Sequence, residues 1–213
     1  MASIFRQIGF KNIPTRNFIV LAAAATLLSS CNGGNANETS APTETSQKAE
    51  QKTPDLTFFQ VKGPVKKITQ FGYTIEFNKE GNLTSINSIN PFELEDAQRT
   101  LNDDGSFTDI AKMERNDKGQ IIKETAISFA NTYTWENNLV VKVEGADEGE
   151  LYTTLYSYNE EGDLICLSTQ SVGGSDNCLF SGFKKDKHGN WTSRISKTPF
   201  STDTVSRKIE YFD

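Results

Sequence analysis

From about residue 65 onward, apolar and polar positions alternate with period two. The stretches "YTIEF", "TYTWE", "LVVKV", "LYTTLYSY" and "VSRKIEYF" are rich in β-branched and aromatic residues, and this pattern predicts strands. Between them one cadence recurs, as "FNKEGNL", "LNDDGSF", "RNDKGQI", "YNEEGDL" and "KKDKHGNW". Aligned on Gly81, Gly105, Gly119, Gly162 and Gly189, each copy has Asn or Asp three residues earlier and an apolar residue two later. The Asn or Asp side chain bonds its own backbone to start a turn, and the glycine takes the left-handed conformation that closes a hairpin with a bulge. Each copy is therefore a predicted hairpin tip. The residue four before the glycine then faces the residue two after it, which pairs Phe77 with Leu83, Leu101 with Phe107, Arg115 with Ile121, Tyr158 with Leu164 and Lys185 with Trp191.

Two further turns are predicted, a two-residue Asn137-Asn138 turn and another at Gly173-Gly174. "SINPFELEDAQ", with Asn90 before Pro91, reads as a loop or one helical turn. Together these elements predict an all-β fold: an antiparallel meander of about ten to twelve strands built from repeated hairpins, in a curved open sheet or incomplete barrel. The terminal "KIEYFD" reads as an edge strand. Parity along the hairpin around Gly173-Gly174 puts Cys166 across from Tyr156 on the core face and across from Ser181 on the next strand. Cys178 then lies across from Thr169 on the opposite face, which predicts two free thiols.

The first 30 residues break this pattern. They carry Arg6, Lys11 and Arg16, no acid, and the apolar core "FIVLAAAATLL", the layout of a secretory signal too short to span a bilayer as a helix. Leu28-Ser29-Ser30-Cys31 resembles the bacterial lipobox, which implies lipid attachment at Cys31 and cleavage before it. Residues 31–55 hold no aromatic side chain and cannot bury a core, so they read as a disordered tether that could reach ~80 Å at about 3.3 to 3.6 Å per residue. Residues 56–213 then form a single β-hairpin repeat domain. Removing Arg6, Lys11 and Arg16 from the 22 basic residues leaves 19 against 28 acids, a net charge of −9. That balance argues against nucleic acid as a partner.

"YSYNEEGDLI" and "FKKDKHGNWTSRI" resemble the YD-repeat, or Rhs-like, segments of small lipoproteins of Bacteroidota, and "VKGPVKKITQFGY" resembles the opening of such domains. The resemblance runs from about Val61 to Asp213 and implies a β-hairpin array, not an activity. The motif's first tyrosine is Phe77, Leu101, Arg115 or Lys185 in the other copies. Five or six tips are too few to enclose a toxin domain, as the long Rhs proteins do.

Candidate chemistry is sparse. His188, the sole histidine, occupies a turn position that is Glu80, Asp104, Lys118 or Glu161 in the other tips, and it is expected to face solvent. One histidine provides neither a serine triad nor a multi-histidine metal site. "TLNDDGSFTDIA" places Thr100 and Ala111 where a calcium loop needs carboxylates. No cofactor or metal is expected. The candidate binding groups are aromatic rings, because sugars and protein partners both stack on exposed rings: Trp135, Tyr152 and Trp191, with Tyr156 and Tyr158 assigned to the core face and Leu151 and Leu155 to the opposite one. Asp203-Thr204-Val205 is similar to the O-glycosylation sites of exported Bacteroidota proteins. The expected function is a noncatalytic interaction module of the cell envelope, binding a glycan or a protein. It would be anchored to a membrane, with the outer membrane preferred, through the lipid on Cys31, and be periplasm-facing or surface-exposed. The rival expectations are a hydrolase with two catalytic carboxylates and a purely structural envelope component.

Overall fold

The computed structural model describes residues 52–101, 107–147 and 149–213. Cys31, Gly105, the signal segment and most of the tether lie outside the described residues. The fold is all-β, antiparallel and open. A nine-stranded meander runs β6 (Lys112–Arg115), β7 (Ile121–Thr125), β8 (Phe129–Glu136), β9 (Leu139–Asp147), β10 (Glu150–Tyr158), β11 (Leu164–Ser171), β12 (Gly174–Lys185), β13 (Trp191–Lys197) and β14 (Thr202–Ser206), each strand paired with the next. A second sheet has the order β15-β1-β2-β3, from β15 (Lys208–Tyr211), β1 (Val65–Gln70), β2 (Tyr73–Phe77) and β3 (Leu83–Ile86). β4 (Gln98–Leu101) and β5 (Phe107–Ile110) form a separate hairpin. Among the described residues the strands thus number fifteen in three sheets, more than the pattern predicts, because short ladders flank the main one. "SINPFELEDAQ" forms turns and bends without a helix.

All five predicted tip pairs are observed in register. At each of the four described tips the Asn or Asp side chain accepts backbone N–H bonds within the turn, as Asn159 does from Glu161 and Asp163 at 3.1 and 2.8 Å. Gly162 sits at φ +81°. Asn137 and Asn138, at φ 49° and 62°, make the predicted two-residue turn between Glu136 and Leu139.

Past each described tip the returning strand carries one extra residue: Thr84, Ile122, Ile165 and Thr192. A bulge of this kind shifts the inward face by one position. The residues buried on each return are therefore the second and fifth after the glycine: Leu83 and Ile86, Ile121 and Glu124, Leu164 and Leu167, Trp191 and Arg194.

The bulge corrects the cysteine assignment. Cys166 pairs with Ser157, not Tyr156, and Leu167 takes the core position across from Tyr156. The next turn falls at Val172-Gly173, with Ser171 paired to Gly174, so Cys178 pairs with Leu167 and Cys166 with Leu179. Cys178 is the buried thiol and Cys166 the half-buried outer one, the reverse of the expected faces. The two still lie on opposite faces, and both are free.

The chain is already folded at Thr53, ahead of the expected boundary at residue 56. Thr53 caps a five-residue helix, α1 (Pro54–Phe58), by accepting the N–H of Leu56 at 3.2 Å. Pro54 opens the helix, and Asp55 in its first turn is fully buried. Composition alone placed Asp55 in the tether because it counts an acid as solvated. α1 and the following residues lie over β7 and β9, where Phe58 meets Tyr133 edge-on at 5.0 Å and stacks near Trp135 at 6.2 Å. The main core joins this segment, the small sheet and the inner face of the meander.

The terminal "VSRKIEYF" is not one strand. It breaks at buried Arg207, and β15 leaves the meander to pair with β1, Ile209 facing Ile68, as the edge of the small sheet.

Gly162 has no heavy atom within 4 Å of an added Cβ, so a side chain there meets backbone strain and nothing else. Gly162→Val is expected to lower stability by about 1 to 2 kcal/mol through left-handed strain. An unfolding midpoint in urea equal to that of wild type would show that the turn does not need positive φ.

Candidate functional site

In an antiparallel meander alternate connections fall at the same end. The tips after β6, β8, β10 and β12 therefore share one end, and the connections after β7, β9, β11 and β13 share the other. The tip end is closed by the segment from Thr53 to Pro64. Thr53 donates to Gly81 O at 2.5 Å, and Asp55 accepts Leu83 N at 2.5 Å and two bonds from Arg115 at 2.6 and 2.7 Å. Lys62 and Asn190 exchange two bonds of 2.9 Å, which fixes the segment to the Gly189 tip. Lys185 spans to Glu161 and Asp163 at 2.5 and 2.6 Å and ties that tip to the Gly162 tip.

His188 does not face solvent freely. It is half-buried, with its ring stacked on Tyr211 at 4.0 Å, because β15 returns beside this tip. Tyr211 also donates to Asp186 and accepts from Asn190.

The three candidate binding rings are engaged in packing. Trp191 is 3% exposed, with the guanidinium carbons of Arg194 and Arg207 over its ring at 4.2 and 3.7 Å, so no ligand can stack on it. Trp135 is half-buried and donates to Ile121 O at 2.8 Å. Tyr152 is half-buried and donates to Asn131, and its ring lies over Gly145, where an added Cβ would fall 2.6 Å from Tyr152 Cζ. Tyr156 and Tyr158 belong to the core cluster, as their parity predicts.

The outer face of the meander is the accessible one. It presents Leu151, Leu155, Val172, Leu179 and Ile195, between 40% and 93% exposed. Cys166 faces Leu179 directly across the ladder. At the end away from the tips an open groove of about 600 Å³ is floored by Ala130 and Ala146 and bounded by Leu151 and Val172. Beside these runs a cross-strand polar row, Lys123, Thr132, Glu144, Thr153 and Gln170, joined by register from β7 to β11. Among the described residues Glu144, paired with Lys142 at 3.0 Å, is the acid that lines this groove. Among the described residues no three His, Cys, Asp or Glu side chains are placed to hold a metal ion. Thr204 is exposed on edge strand β14.

Sequence reasoning passed over the buried charges. Glu124 is buried, accepting from Tyr133 at 2.7 Å and Asn131 at 3.1 Å. Arg207 donates to the carbonyls of Trp191, Phe59 and Gln60 at 2.8, 3.0 and 2.8 Å. The signal for Glu124 and Arg194 was present: both stand five residues after a tip glycine, where other copies have Ile86 and Leu167.

Burial raises the pKa of five of the six tyrosines, with Tyr73 pushed up to about 12 and Tyr133, Tyr156, Tyr158 and Tyr211 also raised. These phenols stay neutral in the fold and ionise once it opens, so they cost nothing below pH 10 and remove stability as pH rises above it. Arg194 and Arg207 act in the opposite sense, because burial lowers their pKa and the unfolded chain binds the extra protons. Five phenols outweigh two guanidiniums. Phenolate absorbance at 295 nm is therefore expected to rise in one step together with loss of the far-ultraviolet β signal above pH 10. A phenolate transition near pH 10 in the folded protein with an amplitude greater than one tyrosine would contradict the burial of these rings. No protein-family model matches this chain and no curated protein matches it.

Proposed function

We propose that the protein is a noncatalytic interaction module of the cell envelope, tethered to a membrane by a lipid on Cys31, that offers the outer face of its nine-stranded sheet to a protein partner. The observation that carries this reading is the set of exposed Leu151, Leu155, Val172, Leu179 and Ile195 on that face. Exposed apolar side chains grouped on one surface mark a contact surface more often than scattered ones do. The three aromatic rings that would have favoured a glycan are held in packing, whereas a protein surface can cover aliphatic side chains without stacking. The chain enters the domain at Thr53, bonded to the Gly81 tip, so a domain held by its N-terminus turns Leu151 and Val172 away from the anchor. The mature net charge of −9 favours a neutral or basic partner. The outer membrane, with the module periplasm-facing or surface-exposed, is the proposed site.

Two experiments test this. Cys31→Ala is expected to move the protein from the membrane fraction to the soluble one; continued sedimentation with membranes would remove the lipid anchor from the proposal. A photo-crosslinking residue at Leu155 or Leu179 is expected to give discrete protein adducts in cells, lost when Leu151 and Ile195 are changed to Glu. Both positions are exposed, so the two changes should leave stability within about 0.5 kcal/mol each. Adducts that persist with the glutamates in place, or that form equally from exposed Thr84 on the small sheet, would rule out this face.

A further inference from the structure

The edge of a β-sheet presents a row of unpaired N–H and C=O groups, and folded proteins blunt such edges with covering segments, charged side chains or bulges. The two larger sheets end at β3, β6, β14 and β15. At β6 the Met113 N–H donates to Pro91 O at 2.9 Å. At β3 the Leu83 N–H donates to Asp55, and the Ile86 N–H donates to Ile89 O at 2.8 Å. β15 carries Lys208 and Glu210, paired at 2.8 Å. β14, Thr202–Ser206, has none of these devices. It holds no Lys, no Pro and no register shift, and Thr202, Thr204 and Ser206 are exposed.

Two bonds flanking β14 fix its phase. Arg207 N–H donates to Thr192 O and Thr198 N–H donates to Ser201 O, both at 2.9 Å, one at each end of the β13–β14 ladder. Backbone groups face alternate sides along an antiparallel strand. Those of Asp203 and Val205 therefore face β13, whereas those of Thr202, Thr204 and Ser206 point off the sheet, where no strand pairs with them among the described residues.

We propose that this edge pairs antiparallel with the same edge of a second copy of the chain, about a two-fold axis at Thr204. In that register every outward residue is matched: Thr204 faces Thr204 of the second copy and Thr202 faces its Ser206, each pair exchanging two backbone bonds. Thr–Thr and Thr–Ser are favourable cross-strand pairs, and Asp203, the one charge on β14, faces Val205 of the second copy and not its own counterpart. With one bare edge on each copy, the pairing closes at a dimer and does not extend into a fibre. Both outer faces then lie on the same side of one continuous sheet. The tip ends of the two copies point in opposite directions, and the ~80 Å reach of the tether exceeds the ~40 Å length of twelve-residue β12, so two copies anchored in one membrane can still meet.

The test places Thr204→Cys in the full chain carrying Cys166→Ala, in intact cells. Facing Thr204 positions would have Cα atoms about 5.5 Å apart, within the disulfide range of about 4.4 to 6.8 Å, so mild oxidation is expected to give a band of twice the monomer mass on a non-reducing gel. Thr84→Cys, exposed on β3, is expected to stay monomeric in the same background. Sedimentation of the full mature chain with Thr204 unmodified is expected to show a dimer that dissociates on dilution. Thr204→Pro removes an N–H that the β13–β14 ladder does not use, so it should keep a melting temperature near that of wild type and leave the protein monomeric. If that variant does not fold, the cysteine crosslink decides the matter by itself. A monomer at every concentration with no crosslink, a crosslinked product of any other mass, or a dimer that survives Thr204→Pro would overturn the proposal.

Discussion

The carboxylate of Asp55, with no exposed surface, takes one hydrogen bond from Leu83 N–H on the small sheet and two from Arg115 on the first strand of the meander. Desolvating a carboxylate is costly, and here three bonds and its place in the first turn of α1 offset that cost. Five residues later, Gln60 O accepts from Arg207, which follows the last strand of the meander. β6 and β14 are eight strand steps apart, ~38 Å in a flat sheet at about 4.8 Å per strand. Five residues reach at most ~18 Å when extended, and most of this segment is helical with a rise of about 1.5 Å per residue. The reach of two arginine side chains does not make up the difference. A flat sheet cannot satisfy both bonds, so the meander must curl around the segment that ties its two ends. Open sheets usually need closure or a second layer to hold curvature, and this short segment supplies the constraint.

The repeat provides a frame, and single departures from it provide the polar interior. After each described tip, the bulge turns the fifth residue past the glycine inward. Ile86 and Leu167 fill that position with apolar volume, whereas Glu124 and Arg194 bring charge to the same place on other strands. Each charge is met by neighbouring side chains: Tyr133 and Asn131 of the adjacent strand around Glu124, and Phe180 of the adjacent strand with Trp191 of the same strand around Arg194. Trp191 is the hinge of this second arrangement, because its indole lies under two guanidiniums while its carbonyl accepts from one of them.

What was legible in the sequence was local. The Asn or Asp to glycine spacing encodes a turn within six residues, so every tip pair could be read in register from Phe77–Leu83 to Lys185–Trp191. The two-residue Asn137-Asn138 turn was legible for the same reason. What was not legible depends on partners far along the chain. The bulge residue Ile165 looks like any other strand residue, so period-two counting carried Cys166 to the wrong face. Arg207 shares its parity in "VSRKIEYF" with Val205, Ile209 and Tyr211, and only its bonds to Phe59 and Gln60, nearly 150 residues away, explain the break there. The surroundings of the candidate rings were hidden for the same reason. A ring's exposure is decided by what covers it, and Gly145, which makes room for Tyr152, sits on a neighbouring strand.

The two ends of the meander consequently differ in what they are free to do. At the tip end, turn side chains, Asp55, Asn190 and Lys185 commit most polar groups to internal bonds, and α1 buries Leu56 and Phe58 beneath them. Burying such side chains contributes about 1.5 to 3 kcal/mol each, so opening this end disrupts the whole fold. The far end has short connections at Val172-Gly173 and around Gly149, exposed Leu151 and Val172, and a buried cluster of only Ala111, Ala126 and Phe129 among the described residues. Regions with few buried apolar contacts open at lower free energy than the core and are where binding surfaces tend to lie. Because the chain enters the domain at the tip end, the anchor proposed at Cys31 would have the rigid end beside it and the exposed apolar surface away from it. The proposed adaptor role would use that arrangement, because exposed leucines on an uncovered sheet face are the groups a protein partner can bury.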